Sequence, residues 1–218
     1  MSHCSKLIEN LINFNSKERF YLVGKILGNP EFAPAPDFIK ELSKKLFGVP
    51  DKLPEKSSFS AMDYHFDWLY ASLELSVRNN LNCFPNKEGI IQGQQEDLDF
   101  ILVFEIDDGC HIVLIEAKGV TGWTNSQMKS KAKRLKVIFG EDGKNYAGVT
   151  PHFVILSRDH PQKLDKSVLP DWMKPDGEII WMKLEIPTDL NRVARCDKNG
   201  DEKIEGTFWK VSKRFSSQ

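Results

Sequence analysis

Asp97-Leu98-Asp99-Phe100-Ile101-Leu102-Val103-Phe104-Glu105-Ile106, a turn at Asp107-Asp108-Gly109, and His111-Ile112-Val113-Leu114-Ile115-Glu116-Ala117-Lys118 together decide how this chain folds. The first run alternates, with Leu98, Phe100, Leu102 and Phe104 on one side and Asp97, Asp99, Ile101 and Val103 on the other. Asp-Gly between two apolar runs predicts a hairpin. An even loop centred between Asp108 and Gly109 sets Asp99 directly opposite Lys118, with Glu116 at the diagonal position. All three then share one face, because opposed residues and i, i+2 residues lie on the same side of a sheet. Phe100, Leu102, Val113 and Ile115 fall together on the other, apolar face, and a one-residue slip would scramble both sets. Acid-x-Lys triplets also occur at Asp142-Gly143-Lys144 and Asp201-Glu202-Lys203, but in polar, turn-like segments. The triplet at 116–118 differs because it closes an apolar strand, where charge destabilises the fold unless something compensates it. Two carboxylates and an ammonium would converge at a sheet surface, within reach of a divalent ion that the carboxylates share.

Around this hairpin the chain reads as mixed α/β. Leu7/Ile8/Leu11/Ile12, Phe20/Val23/Ile26/Leu27 and Phe38/Ile39/Leu42/Leu46 recur at helical spacing, punctuated by Gly28-Asn29-Pro30 and Gly48-Val49-Pro50. Residues 48–60 read as a connecting loop, followed by a helix from about Asp63 to Asn79. Downstream come a helix from about Thr124 to Phe139, strands at Phe153–Ser157 and Glu178–Leu184, and a hairpin joining Arg192–Cys196 to Thr207–Lys213. The expected organisation is a helical extension over residues 1–60 packed on an α/β domain over residues 61–218, as one compact unit.

The formal charge of the 218 residues is −1, from 30 Lys and Arg against 31 Asp and Glu, which excludes a uniformly basic surface. That balance is a cancellation. Residues 84–110 carry seven acids against Lys87, a local −6, while residues 119–140 carry five bases and no acid. Cys4, Cys83, Cys110 and Cys196 lie far apart, without zinc-site spacing, and read as reduced thiols of a cytoplasmic protein. The N-terminus lacks the apolar segment of a signal peptide, and no run approaches the ~20 apolar residues of a membrane span.

An acid before an apolar strand, a hairpin, and an acid-x-Lys closing the next strand resemble the PD-(D/E)xK nuclease superfamily, on Asp99, Glu116 and Lys118. Leu98 stands where the nominal motif has Pro. The resemblance covers about Asp63 to Ser157. It implies a restriction-endonuclease-like αβββαβ core with a mixed central sheet, an N-terminal helical extension and a C-terminal β-hairpin. It also implies metal-dependent phosphodiester hydrolysis, of DNA rather than RNA. Asp99, Glu116 and the Ala117 carbonyl would hold Mg²⁺ (or Mn²⁺), and Lys118 would assist attack by water. In related nucleases the following helix often supplies a Gln or a basic residue, which points to Gln127 and Lys131. Gln127 also fits a capping box with Thr124. Lys129, Lys131 and Arg134 would contact nucleic acid. Asp97 is a further candidate, as are Glu74 and Asp67 on the preceding helix. An ordinary i, i+4 pair with Arg78 competes for Glu74. A homodimer is compatible with the resemblance.

Asp197-Lys198-Asn199-Gly200-Asp201 is rejected as an EF-hand loop, since Glu202 stands where Gly is needed and Phe208 where the bidentate Glu belongs. Trp123, Trp172, Trp181 and Trp209 read as core or interface packing. Two other classes compete with an enzyme: a non-catalytic nucleic-acid-binding or assembly module on the same fold, and a protein whose helical first third docks a partner.

Overall fold

The computed structural model describes residues 3–78, 83–86, 89–93, 96–119, 123, 125–187 and 189–214. The three early helices form where the spacing puts them: α1 (His3–Asn15), α2 (Arg19–Ile26) and α3 (Pro36–Phe47). Cys4, Leu7 and Leu11 are the buried stripe of α1. The Glu18 carboxylate caps α2, accepting from the amides of Phe20 and Tyr21. α3 has Pro36 in its first turn and stops at Gly48, whose φ of 76° is left-handed.

Residues Phe59–His65, read from the sequence as loop and helix start, instead form strand β1. It runs directly into α4 (Phe66–Val77), and its small Ser60 and Ala61 carry little strand character of their own. Pairing along β2 (Asp97–Ile106) makes it a strand. The remaining elements are β3 (Gly109–Lys118), α5 (Asn125–Phe139), β4 (Val149–Ser157), β5 (Ile180–Lys183), β6 (Asn191–Cys196) and β7 (Phe208–Lys213). The last two form the expected hairpin.

The main sheet has the order β1-β2-β3-β4-β5, antiparallel through β3 and parallel from β3 to β5, with α5 leading from β3 to β4. The fold is therefore mixed α/β. Three strands precede α5, as expected, but α4 lies between the first and second of them instead of before all three.

The hairpin register differs by one pair from the expected one. Ile106 pairs with Gly109, so the two-residue turn is Asp107-Asp108, with φ of 48° and 63°. Positive φ at both central residues matches strand twist in a tight hairpin, and Asp tolerates that region better than most residues. Gly109 is freed to enter the ladder. Because the loop stays even, the faces remain as predicted: Phe100, Leu102, Val113 and Ile115 pack toward Ile39 and Leu42 of α3. Ile101, Val103, Ile112 and Leu114 pack with α1, α4 and α5. Leu98 departs from the alternation and joins this second core beside Tyr64 and Phe66. There β1 breaks its pleat at Asp63, whose φ is 48°.

Cys4 and Cys110 form a disulfide between α1 and β3, with Cα atoms 5.4 Å apart. The expectation of reduced thiols is corrected: a separation of 106 residues conceals a pair that only the packing of α1 brings together. With it goes the thiol-based argument for the cytoplasm. No helix among the described residues is long and apolar enough to cross a membrane.

Two compact units are present, Met1–Leu184 and Glu185–Gln218. The helices of residues 1–60 belong to the first, where α1 and α3 furnish part of its two cores. In the second, Asp197 accepts the amides of Asn199 and Asp201, a polar turn as expected. Gly206 lies so close to Cys196 that a Cβ would stand 2.3 Å from its carbonyl oxygen.

Candidate active site

Asp99 leaves the end of β2, and Glu116 and Lys118 leave the end of β3. The observed register, continued one pair past Phe100 and Ile115, brings Asp99 opposite Glu116 instead of Lys118, with Lys118 diagonal. Asp99 stands beside the ladder's end as an acceptor: its Oδ2 takes the Ala117 amide at 2.6 Å. A strand residue directs its N–H and C=O toward the same neighbour, so the Ala117 carbonyl also faces the Asp99 side.

Parity sends Glu116 under α5, where it is 2% exposed. Lys131 of α5 reaches down to it, its Nζ 2.5 Å from Glu116 Oε1 and 2.7 Å from the Asp97 carbonyl. Burial nevertheless pushes the Glu116 carboxyl up to about 7; the Asp99 charge adds to this, while Lys131 and Lys118 oppose it. A carboxyl in that range changes protonation near neutral pH, unlike an ordinary surface Glu.

These groups line one cavity of about 670 Å³, together with Glu96, Trp123 and Gln127. Lys118 Nζ lies 5.6 Å from the Trp123 ring centroid, a cation–π contact that fixes the ammonium beside the cavity. The Trp123 indole N–H is buried, with no hydrogen-bond partner among the described residues. Trp123 therefore belongs to the cavity wall, a role its isolated position in the sequence does not reveal.

Of the expected residues, Asp97, Asp99, Glu116, Lys118, Gln127 and Lys131 are brought together. Thr124, the partner Gln127 would have in a capping box, lies outside the described residues. Glu74 is elsewhere: it accepts from the Tyr146 hydroxyl at 2.8 Å and pairs with Arg78 at 2.6 Å. Asp67 does not line the cavity, but holds its rim by accepting the amides of Gln92 and Gly93.

Arg134 is the clear correction. Expected at a phosphate backbone, it is 6% exposed and held by Asp67 at 2.5 Å, Glu96 at 3.3 Å and the Ile90 carbonyl at 3.0 Å. Its guanidinium also sits 5.2 Å over the Phe66 ring. The stripe of Gln127, Lys131 and Arg134 does share a helix face, but the packing of α5 turns Lys131 and Arg134 into the protein. The outward cations of α5 are Lys129, Lys133 and Lys136.

The donor set suits a hard cation. Among the described residues no three His, Cys, Asp or Glu side chains gather into a ready-made cage. Two carboxylates and a carbonyl, completed by water and substrate oxygens, are nonetheless how Mg²⁺ is commonly held. Burial is the main cause of the raised Glu116 pKa, and a cation held beside Glu116 and Asp99 would favour the ionised carboxylate. No family model, curated protein or solved structure matches the chain.

Proposed function

We propose that the chain is a metal-dependent nuclease with a restriction-endonuclease-like core, hydrolysing phosphodiester bonds of nucleic acid, DNA before RNA. The observation that carries this reading is the convergence of Asp99, Glu116 and Lys118 on one cavity at the end of a β2–β3 hairpin. Asp99, Glu116 and the Ala117 carbonyl would hold Mg²⁺ or Mn²⁺. When bound, the ion would supply Lewis-acid polarisation of the phosphate and a more acidic water.

The chain's own residues divide the remaining work. The Ala117 amide fixes the Asp99 carboxylate. Lys131 fixes Glu116 and offsets part of its charge. Lys118, steadied against Trp123, offers an ammonium to the negative charge that develops on an attacked phosphate.

One observation favours the alternative, a nucleic-acid-binding module without catalysis. Lys131 already pairs with Glu116, as in a purely structural ion network. Cleavage of single- and double-stranded DNA and RNA, titrated with Mg²⁺ and Mn²⁺, separates the two. A nuclease loses activity to chelator and to each of Asp99→Asn, Glu116→Gln and Lys118→Ala without loss of fold. Binding with a steep salt dependence and no cleavage at any metal concentration supports the module instead.

A further inference from the structure

The β6–β7 hairpin presents one face that no described residue of its own unit covers. Pairing of Asn191 with Lys213, Val193 with Val211 and Arg195 with Trp209 puts these six residues on one side. Every one of them is exposed, Val193 by 71% and Trp209 by 70%. A two-stranded sheet is marginal in water, and an indole beside two valines is costly surface to leave wet. Of the two expectations for Trp209, core or interface packing, its exposure contradicts the first alone.

The charges on the two faces differ. On the opposite side, Arg192 and Lys210 both meet Glu202. On the exposed side, Arg195 bonds the Gly206 carbonyl and Lys213 the Asp189 carbonyl, and no carboxylate stands among the six residues. Carbonyls orient these cations without cancelling them. The face therefore combines an exposed aromatic plane, two aliphatic side chains and two positive charges with no ion pair among the described residues, which is complementary to a polyanion with flat apolar rings.

We infer that this face is a docking platform for single-stranded nucleic acid, with a base stacked on Trp209 and backbone phosphates at Arg195 and Lys213. The inference rests on the nuclease reading for its choice of partner, and it places substrate binding on a second surface besides the cavity. Stacking tolerates any base, so the platform recognises strandedness and charge, not sequence.

The test uses the full chain with chelator present, so that binding is read without cleavage. The probes are fluorescein-labelled oligothymidylate and oligouridylate, followed by anisotropy over a salt series. Trp209→Ala weakens binding roughly tenfold or more, and Trp209→Phe restores most of it. Arg195→Ala with Lys213→Ala lowers the salt slope by about 1.4, from two contacts at roughly 0.7 each. If Trp209→Ala does not fold, the Arg195→Glu, Lys213→Glu chain carries the test, its melting temperature serving as the folding control. Wild-type affinity in these variants overturns the inference. So does a wild-type dimer that Trp209→Ala converts to monomer with oligonucleotide binding unaltered, since the face would then serve self-association. A wild type that cleaves while hairpin variants bind normally removes this inference alone. A wild type that never cleaves while hairpin variants lose binding supports the platform and removes the nuclease reading alone.

Discussion

Replacing Glu116 by Gln is expected to change the shape of the stability–pH curve. The carboxyl of Glu116 is pushed from 4.5 to about 7, burial being the largest cause. In the unfolded chain it ionises near its ordinary value. Between those two pH values the folded state binds more protons than the unfolded state, so stability falls as pH rises through the window. Above pH 7 both states are ionised, and the folded state carries the whole cost of the buried charge. From 4.5 to about 7, at about 1.4 kcal/mol per pH unit, that cost is roughly 3 kcal/mol. Gln keeps the shape of the protonated acid and cannot ionise. The stability difference, Glu116→Gln minus wild type, should therefore start near zero at pH 4 and grow to about 3 kcal/mol by pH 8. For a chain of this length that corresponds to about 6–12 °C in melting temperature. Urea unfolding at closely spaced pH values measures it, and subtracting the two proteins cancels every titration they share. Mg²⁺ should raise the wild type at pH 8 and leave Glu116→Gln little changed, because an ion held by the carboxylate stabilises the folded state by mass action. A difference that stays flat from pH 4 to 8 would refute the reasoning, since Glu116 would then be ionised normally with Lys131 as its partner.

Reduction of the Cys4–Cys110 disulfide, which closes a separation of 106 residues, should cost about 5 kcal/mol on loop-entropy grounds. Melting with and without reductant, against the Cys4→Ala, Cys110→Ala double variant, checks it; equal melting temperatures would remove the bond from the stability account. Arg134→Ala should destabilise by about 3–5 kcal/mol because it leaves Asp67 and Glu96 without their partly buried counterion. A stable Arg134→Ala chain that loses nucleic-acid affinity would restore Arg134 to the binding surface. His152 packs beside His111, with ring nitrogens 2.9 Å apart, and burial depresses it to about 4. A histidine held neutral in this way contributes stability above its unfolded value of 6.5 and loses it as pH falls toward 4. NMR titration of His152 should show that low value, and an ordinary midpoint near 6.5 would contradict the burial.

The candidate site was legible because its signature is local. Charged residues closing an apolar strand are visible at Glu116 and Lys118 without any tertiary information. The shared face of Asp99, Glu116 and Lys118 survived even though the register moved by a full pair, because an even loop preserves parity wherever its centre falls. Direct opposition did not survive, since the choice between Asp107-Asp108 and Asp108-Gly109 as turn depends on how the whole hairpin pairs. Strand β1 was missed because its strand character comes from β2 and not from its own residues. The basic α5 stripe predicts a phosphate-binding face, yet Lys131 and Arg134 turn inward. Spacing defines which residues share a face, but it does not say which way that face points.

By itself, then, the sequence determined the alternation, the hairpin and the side of the sheet on which the acidic residues and Lys118 stand, because strand and helix periods are set by backbone geometry alone. Only the tertiary structure decided that Lys131 reaches Glu116, that Arg134 is locked between Asp67 and Glu96, and that Cys4 meets Cys110. Each of these pairs is joined across elements remote in the chain. Their energies come from burial and from short charge–charge distances, which exist only after packing has removed the water between them.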